Sequence, residues 1–171
     1  MTKDNVVYET PLRIVPDPRV TFTAADRQAQ FDLSMKLYGM LGDMTTAVGR
    51  MNQMRAALND RAAKATDPAL KSRLQAASAQ VDELRKKIVA TKEGGAITGE
   101  ERLREFLADL YGSVVRYEGR PSQTEVDRTE ALKRELADVV KSYDDWTAAE
   151  LPKINADLKA GKLDQITLPS K

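Results

Sequence analysis

The chain has no cysteine and no histidine among its 171 residues. Without cysteine there are no disulfides, no thiolate nucleophile and no Cys-based zinc or iron–sulfur site. Without histidine the commonest general base and metal ligand is missing, and a Ser-His-Asp triad cannot be assembled. Aromatic residues are scarce at 5%, with one tryptophan, Trp146. An excess of one charge sign is absent too. Lys and Arg total 27 against 26 Asp and Glu, which argues against a nucleic-acid binder, whose surface carries a basic stripe. No apolar run approaches the ~20 residues that span a bilayer, and no signal-like apolar segment follows Met1–Asn5. No Walker loop, Gly-x-Gly-x-x-Gly or Asp-x-Asp-x-Asp-Gly calcium loop occurs, so no cofactor and no metal is expected.

What the chain does have is periodicity. Leu70, Leu74, Ala77, Val81, Leu84 and Ile88 recur in steps of four and three, as along one seam of a helix packed on another. Leu37, Leu41, Met44, Val48, Met51, Leu58 and Ala62 form a longer stripe, with Phe31, Met35 and Tyr38 on a neighbouring line. Two further stripes are Leu103, Phe106, Leu107, Leu110, Val114, Tyr117 and Val126, Leu132, Leu136, Val139, Val140, Tyr143.

Punctuation divides the stripes. Thr23-Ala24-Ala25-Asp26, Thr98-Gly99-Glu100-Glu101 and Ser122-Gln123-Thr124-Glu125 read as capping boxes, and Asp67-Pro68 as an N-cap followed by a first-turn proline. The second helix is predicted to end near Thr91, followed by a loop at Lys92–Gly95. Gly119-Arg120-Pro121 stops the third, and Gly161 ends the fourth. Gly42 and Gly49, seven apart, suggest close helix approach or local bending. Pro152 either kinks the last helix or divides it. The expectation is an all-α, antiparallel four-helix bundle over residues 23–171, with long first and last helices and a short extended C-terminal tail.

Residues 1–22 differ. Val6-Val7-Tyr8 and Leu12-Arg13-Ile14-Val15 are β-branched and aromatic and lie among prolines 11, 16 and 18. They read as an extended arm packed on the bundle, as the remnant strand of a preceding β domain, or as a disordered leader. Arg19, two residues after Asp17, is placed to fork onto a carboxylate and fix the arm to the bundle.

Chemistry has few candidates. Asp144, Asp145 and Glu150 surround Trp146, and an acid–aromatic cluster can hold a sugar; a solvated helix face with a partly buried tryptophan is the simpler reading. In an enzyme, these acids would have raised pKa values in a cleft. Glu100 and Glu101 suit a helix N-terminus, whose dipole favours acids.

Asp17-Pro18-Arg19-Val20, followed by a capped helix with Gln28 and Gln30 in its first turns, resembles the start of the C-terminal helical domain of bacterial BNR/Asp-box propeller proteins, the sialidase-like or VPS10-like glycosyl hydrolase family. Tyr8–Val15 is similar to that family's final strand. Arg120-Pro121-Ser122-Gln123 is similar to its proline turn, and Leu151-Pro152-Lys153-Ile154-Asn155 with Leu163–Ile166 to its closing segment. The resemblance runs from Tyr8 to Ile166 and leaves out the propeller, so no catalytic residue carries over.

The resemblance implies a non-catalytic accessory or assembly domain. Its partner is a preceding β or propeller domain of the same or a related chain, the parent a glycoside hydrolase, the location extracytoplasmic. The alternative is a free-standing helical-bundle interaction module that dimerises or binds a partner helix, suggested by Met35, Met40, Met54 and Val115 off the main stripes. Asp17, Arg19, Trp146 and Asn155 are the structural or interaction candidates; no catalytic, cofactor or metal residue is assigned.

Overall fold

The structure is a computed structural model that describes residues 2–15, 17–92 and 99–167. Among these residues it is an all-α bundle of four helices: α1 Ala24–Lys64, α2 Pro68–Lys86, α3 Leu103–Arg116 and α4 Gln123–Ala160.

Caps set the helix starts. The Asp26 amide donates to Thr23 Oγ1 (3.1 Å) while the Thr23 amide donates to Asp26 Oδ2 (3.0 Å). Ser122 and Glu125 make the same reciprocal pair, and Asp67 Oδ1 accepts from the Ala69 amide at 2.9 Å.

Two boundaries differ from the sequence reading. α2 ends at Lys86 rather than near Thr91, because Lys87 and Ile88 donate to carbonyls three residues back and tighten the last turn. Ile88 is still fully buried, so the stripe reaches the core from a turn rather than from the helix. α3 begins at Leu103. Its first turn is closed by the Glu105 carboxylate on the Arg102 amide at 3.0 Å, so Glu105 takes the role expected of Glu100 and Glu101. Glu100 reaches back across the connection to the Thr91 amide (3.0 Å) and pairs with Arg102. Thr98 and the Gly94-Gly95 pair lie outside the described residues.

The helices are arranged along α1. α2 returns antiparallel beside its C-terminal half, where Arg55 pairs with Asp82 at 3.1 Å. α3 lies beside the N-terminal half, where Gln30 donates to the carbonyls of Val114 and Tyr117. α2 and α3 therefore follow one another in the same direction; neighbours in sequence are antiparallel at α1–α2 and at α3–α4, not between α2 and α3. α4 spans both short helices and runs parallel to α1. Lys36–Glu130 and Arg50–Asp144 join them at the same offset of 94 residues, four turns apart. Around these contacts Leu37, Met51, Met54, Leu58, Leu74, Val81, Leu132, Tyr143, Ile154 and Leu158 are fully or almost fully excluded from water.

Met40 and Met54, set off the main stripe by the sequence reading, belong to this core, whereas Met35 and Val115 are exposed. Gly42 and Gly49 do not mark a close approach within the bundle. A Cβ at either would meet nothing within 4 Å. Gly119 does mark one, since its Cβ would stand 2.7 Å from Phe22 Cε1 and 2.8 Å from Tyr117 Cε1. Phe22 packs edge-on against Tyr117 there, centroids 5.9 Å apart, and anchors the arm to the end of α3. Pro152 neither divides nor ends the last helix; α4 is continuous through it.

The acidic caps make a pH prediction. The Thr23 side chain and amide hold Asp26 below the usual carboxylate range, and the Ser122 amide does the same for Glu125. A lowered folded pKa means that the unfolded chain takes up protons first, so this stability is present above the ordinary carboxylate pKa and is lost as pH falls through it. With no histidine to titrate, the melting temperature is expected to stay flat from about pH 6 to pH 8 and to fall below about pH 5. Thermal unfolding across that range checks it; a step near pH 6.5 would contradict it.

Candidate interaction site

Arg19 forks onto Asp17. Its Nε lies 3.0 and 3.1 Å from the two carboxylate oxygens, and its amide donates to Oδ1 at 2.9 Å. The Arg19 guanidinium holds the Asp17 carboxyl below its ordinary pKa, and Asp17 in turn raises that of Arg19. Both groups belong to the arm and are solvent-exposed. The fork therefore stiffens the Pro18 turn and does not fix the arm to the bundle, as had been expected. That link is made by Phe22, whose carbonyl accepts from Arg27 at 3.0 Å.

Upstream of Val20 the arm is open to solvent. Leu12 and Ile14 are 86% and 89% exposed, and Val15, Val7 and Val6 more than half. Among the described residues, its packing on the bundle, one of the expectations above, is confined to Val20 and Phe22, with Ile14 and Val15 bordering an open groove beside Arg27, Gln30 and Glu118. Thr2–Lys3 pairs antiparallel with Val6–Val7 around Asp4 and Asn5, both in left-handed backbone (φ 51° and 62°). That is the two-residue turn that asparagine and aspartate tolerate, and it suits the twist of a hairpin. Among the described residues this is the only strand pairing. The Asp4-Asn5 pair was the readable signal for it.

Trp146 bridges α4 to α2, its indole N–H donating to Gln80 Oε1 at 2.8 Å. Beside it runs a shallow groove lined by Gln80, Glu83, Leu84, Ser142 and Glu150. The acids expected around Trp146 do not converge. Asp144 pairs with Arg50 at 2.7 Å, Asp145 with Lys141 at 2.5 Å and Glu150 with Lys153 at 2.7 Å. Lys153 lowers the Glu150 pKa, the opposite of what a general acid in a cleft requires. Glu83 is the acid that α2 brings to the groove, and it pairs with Lys86 at 2.8 Å. Among the described residues, no group of three or more Asp or Glu side chains is placed to hold a metal ion.

Asn155 clamps the tail. Its Nδ2 donates to the Ile166 carbonyl (3.0 Å) and its Oδ1 accepts from the Ile166 amide (2.8 Å), so one side-chain amide satisfies both backbone groups of a buried residue. Arg61 Nε adds a bond to the Asp164 carbonyl at 2.9 Å. Asn155→Ala is expected to cost about 1–2 kcal/mol, since two buried backbone groups lose their partner. Amide hydrogen exchange at Ile166 should accelerate while exchange in α1 is little changed. Unchanged protection at Ile166 would show that Arg61 and the burial of Ile166 suffice.

Compared with protein-family models, with curated proteins and with solved structures, the chain matches none.

Proposed function

We propose that this chain is a non-catalytic helical assembly domain that docks through its N-terminal arm onto a β-rich neighbour. The observation that carries the reading is the arm itself, where Leu12, Ile14 and Val15 alternate with or adjoin polar residues and project into water. An extended, apolar segment that ends in a two-residue hairpin has backbone groups and side chains suited to adding onto a sheet edge. The neighbour that fits is the β or propeller domain that precedes such bundles in the BNR/Asp-box proteins the sequence resembles. Catalysis would then belong to that parent, a glycoside hydrolase, and the location would be extracytoplasmic. The pairing of Asp144, Asp145 and Glu150 with cations supports the non-catalytic part of the reading.

An antibody blot of fractionated source cells, combined with limited proteolysis of the arm, tests it. A band several times larger than 19.0 kDa, in the envelope or medium and resistant to cleavage between Leu12 and Val15, is expected. A band near 19 kDa in the cytoplasm with a freely cleaved arm would overturn it in favour of the free-standing interaction module. The outward face of α1 gives that second reading its own support.

A further inference from the structure

The core of α1 lies on one side of the helix, and on the opposite side the residues follow a second heptad rhythm. Phe31, Met35 and Tyr38 stand in its N-terminal half, 59%, 49% and 61% exposed, and Gly42, Thr45 and Gly49 continue the same line across its middle. The space above Gly42 and Gly49 is empty. Thr45 turns its hydroxyl back onto the Leu41 carbonyl at 2.8 Å, which satisfies it within the helix and leaves its methyl on the surface. No charged side chain falls on this line. Lys36, Arg50 and Arg55 are turned sideways to Glu130, Asp144 and Asp82 of the neighbouring helices. In a chain of which 31% is charged, the exposed carboxylates on this side of α1, Asp32 and Asp43, flank the line rather than interrupt it.

The seam is large at one end and small at the other, and its spacing is palindromic about residue 40. We infer that it is the contact surface for a second copy of this chain, with the two α1 helices antiparallel across a two-fold axis. That arrangement sets Phe31 over Gly49, Met35 over Thr45 and Tyr38 over Gly42, and the reverse on the other side of the axis. Every large side chain meets a small one, which is how knobs fill holes in an isologous contact. Further out, Gln28 meets Asn52 and Ala24 meets Ala56, polar on polar and small on small. A parallel pair would instead stack Phe31, Met35 and Tyr38 on their own copies and leave voids between glycines.

The seam from Ala24 to Ala56 is about 48 Å long at 1.5 Å per residue. A contact strip about 10 Å wide on each copy gives a total buried area of about 1,000 Å², the size at which specific interfaces begin. The dimer is therefore expected to dissociate in the micromolar range. It does not rest on the arm or on the docking role proposed above.

Sedimentation of the full chain from about 5 to 500 μM is expected to pass from the monomer to twice 19.0 kDa. Gly42→Leu, which fills a hollow, should weaken association by about tenfold or more, while its melting temperature as a monomer rises because leucine is the better helix former. Phe31→Glu should do the same to association. Leu12→Ser with Ile14→Ser should leave it unchanged, which separates this surface from the arm. Because the chain has no cysteine, register is readable by cross-linking. Met35→Cys mixed with Thr45→Cys should form a disulfide-linked dimer, and neither variant alone should. A mass that stays at the monomer throughout, cross-linking of either variant with itself, or loss of association in the arm variant would each overturn the inference.

Discussion

Tyr143→Ala is expected to lower the unfolding free energy by about 3–5 kcal/mol, the range for removing a buried aromatic ring. Tyr143 is completely shielded from solvent at the midpoint of the bundle, where α4 meets α1. Its hydroxyl donates to the Arg50 carbonyl at 3.2 Å, and the Arg50 guanidinium lies over its ring, 5.1 Å from the centroid. The same guanidinium pairs with Asp144 at 2.7 Å. Removing the ring opens a cavity, takes away the surface on which Arg50 rests and loosens the ion pair that keeps α1 and α4 in register. Tyr143→Phe keeps the ring and gives up one hydrogen bond, so its cost is about 1 kcal/mol. Chemical denaturation of the three proteins separates these terms. Burial also pushes the Tyr143 phenol above its ordinary pKa. For a group raised in this way, the stability is complete below the unfolded pKa, near 10, and is lost as pH rises above it. Tyr143→Phe should therefore reduce the loss of stability above about pH 10. Equal costs for phenylalanine and alanine would mean that the hydroxyl, not the ring, holds this layer.

Most of the bundle could be read from the residues because each element carries two independent signals. α1 has a cap at Thr23 and a stripe ending at Ala62, and both are where the chain was expected to turn. The stripe itself was legible only to within one helical line. Leu41 and Val48 were placed at its centre but are half-buried, while Leu33, Met40, Ala47 and Met54 are buried. The buried residues Leu33, Leu37, Met40, Met44, Ala47, Met51, Met54 and Leu58 form a heptad seam of their own, one line beside the one read through Leu41 and Val48; methionine and alanine mark a core line less strongly in sequence than leucine and valine do. The direction of α3 relative to α2 was not legible. That depends on where Gln30 and Arg104 find their carbonyl partners, and nothing local to either helix encodes it. Arg19 was expected to bridge to the bundle, yet a carboxylate two residues away wins, because closing so short a loop costs little entropy. The outward seam was half-visible. Phe31, Met35 and Tyr38 stand on a line of their own in the sequence, but Gly42 and Gly49 suggest only close helix approach or local bending, without saying which helix approaches. A glycine that admits close approach looks the same in sequence whether the approaching helix belongs to the same chain or to another.

Pro152→Ala is the substitution expected to stabilise the chain most. α4 runs unbroken through Pro152, and the residues on both sides stay in helical register, with Tyr143, Ile154 and Leu158 all facing the core. The proline therefore removes the amide that would bond the Ala148 carbonyl and sets its ring against that carbonyl, a defect worth about 3 kcal/mol relative to alanine in a helix interior. Pro152 itself is exposed, so alanine leaves no cavity. Alanine also frees the unfolded chain, which returns about 1 kcal/mol to the unfolded side. The net gain is about 2 kcal/mol, or roughly 4–8 °C in melting temperature for a domain of this size. Pro152→Gly should fall about 1 kcal/mol short of that, because glycine restores the amide but not the helix propensity. The second readout is the tail. Asn155 lies less than one turn beyond Pro152 and holds Ile166 through both of its backbone groups. A stabilised Pro152→Ala protein with full protection of the Ile166 amide means that the proline is only a local defect. A protein that loses stability, with Ile166 exchanging freely, means that the proline sets the course of the last two turns, and that the clamp depends on it.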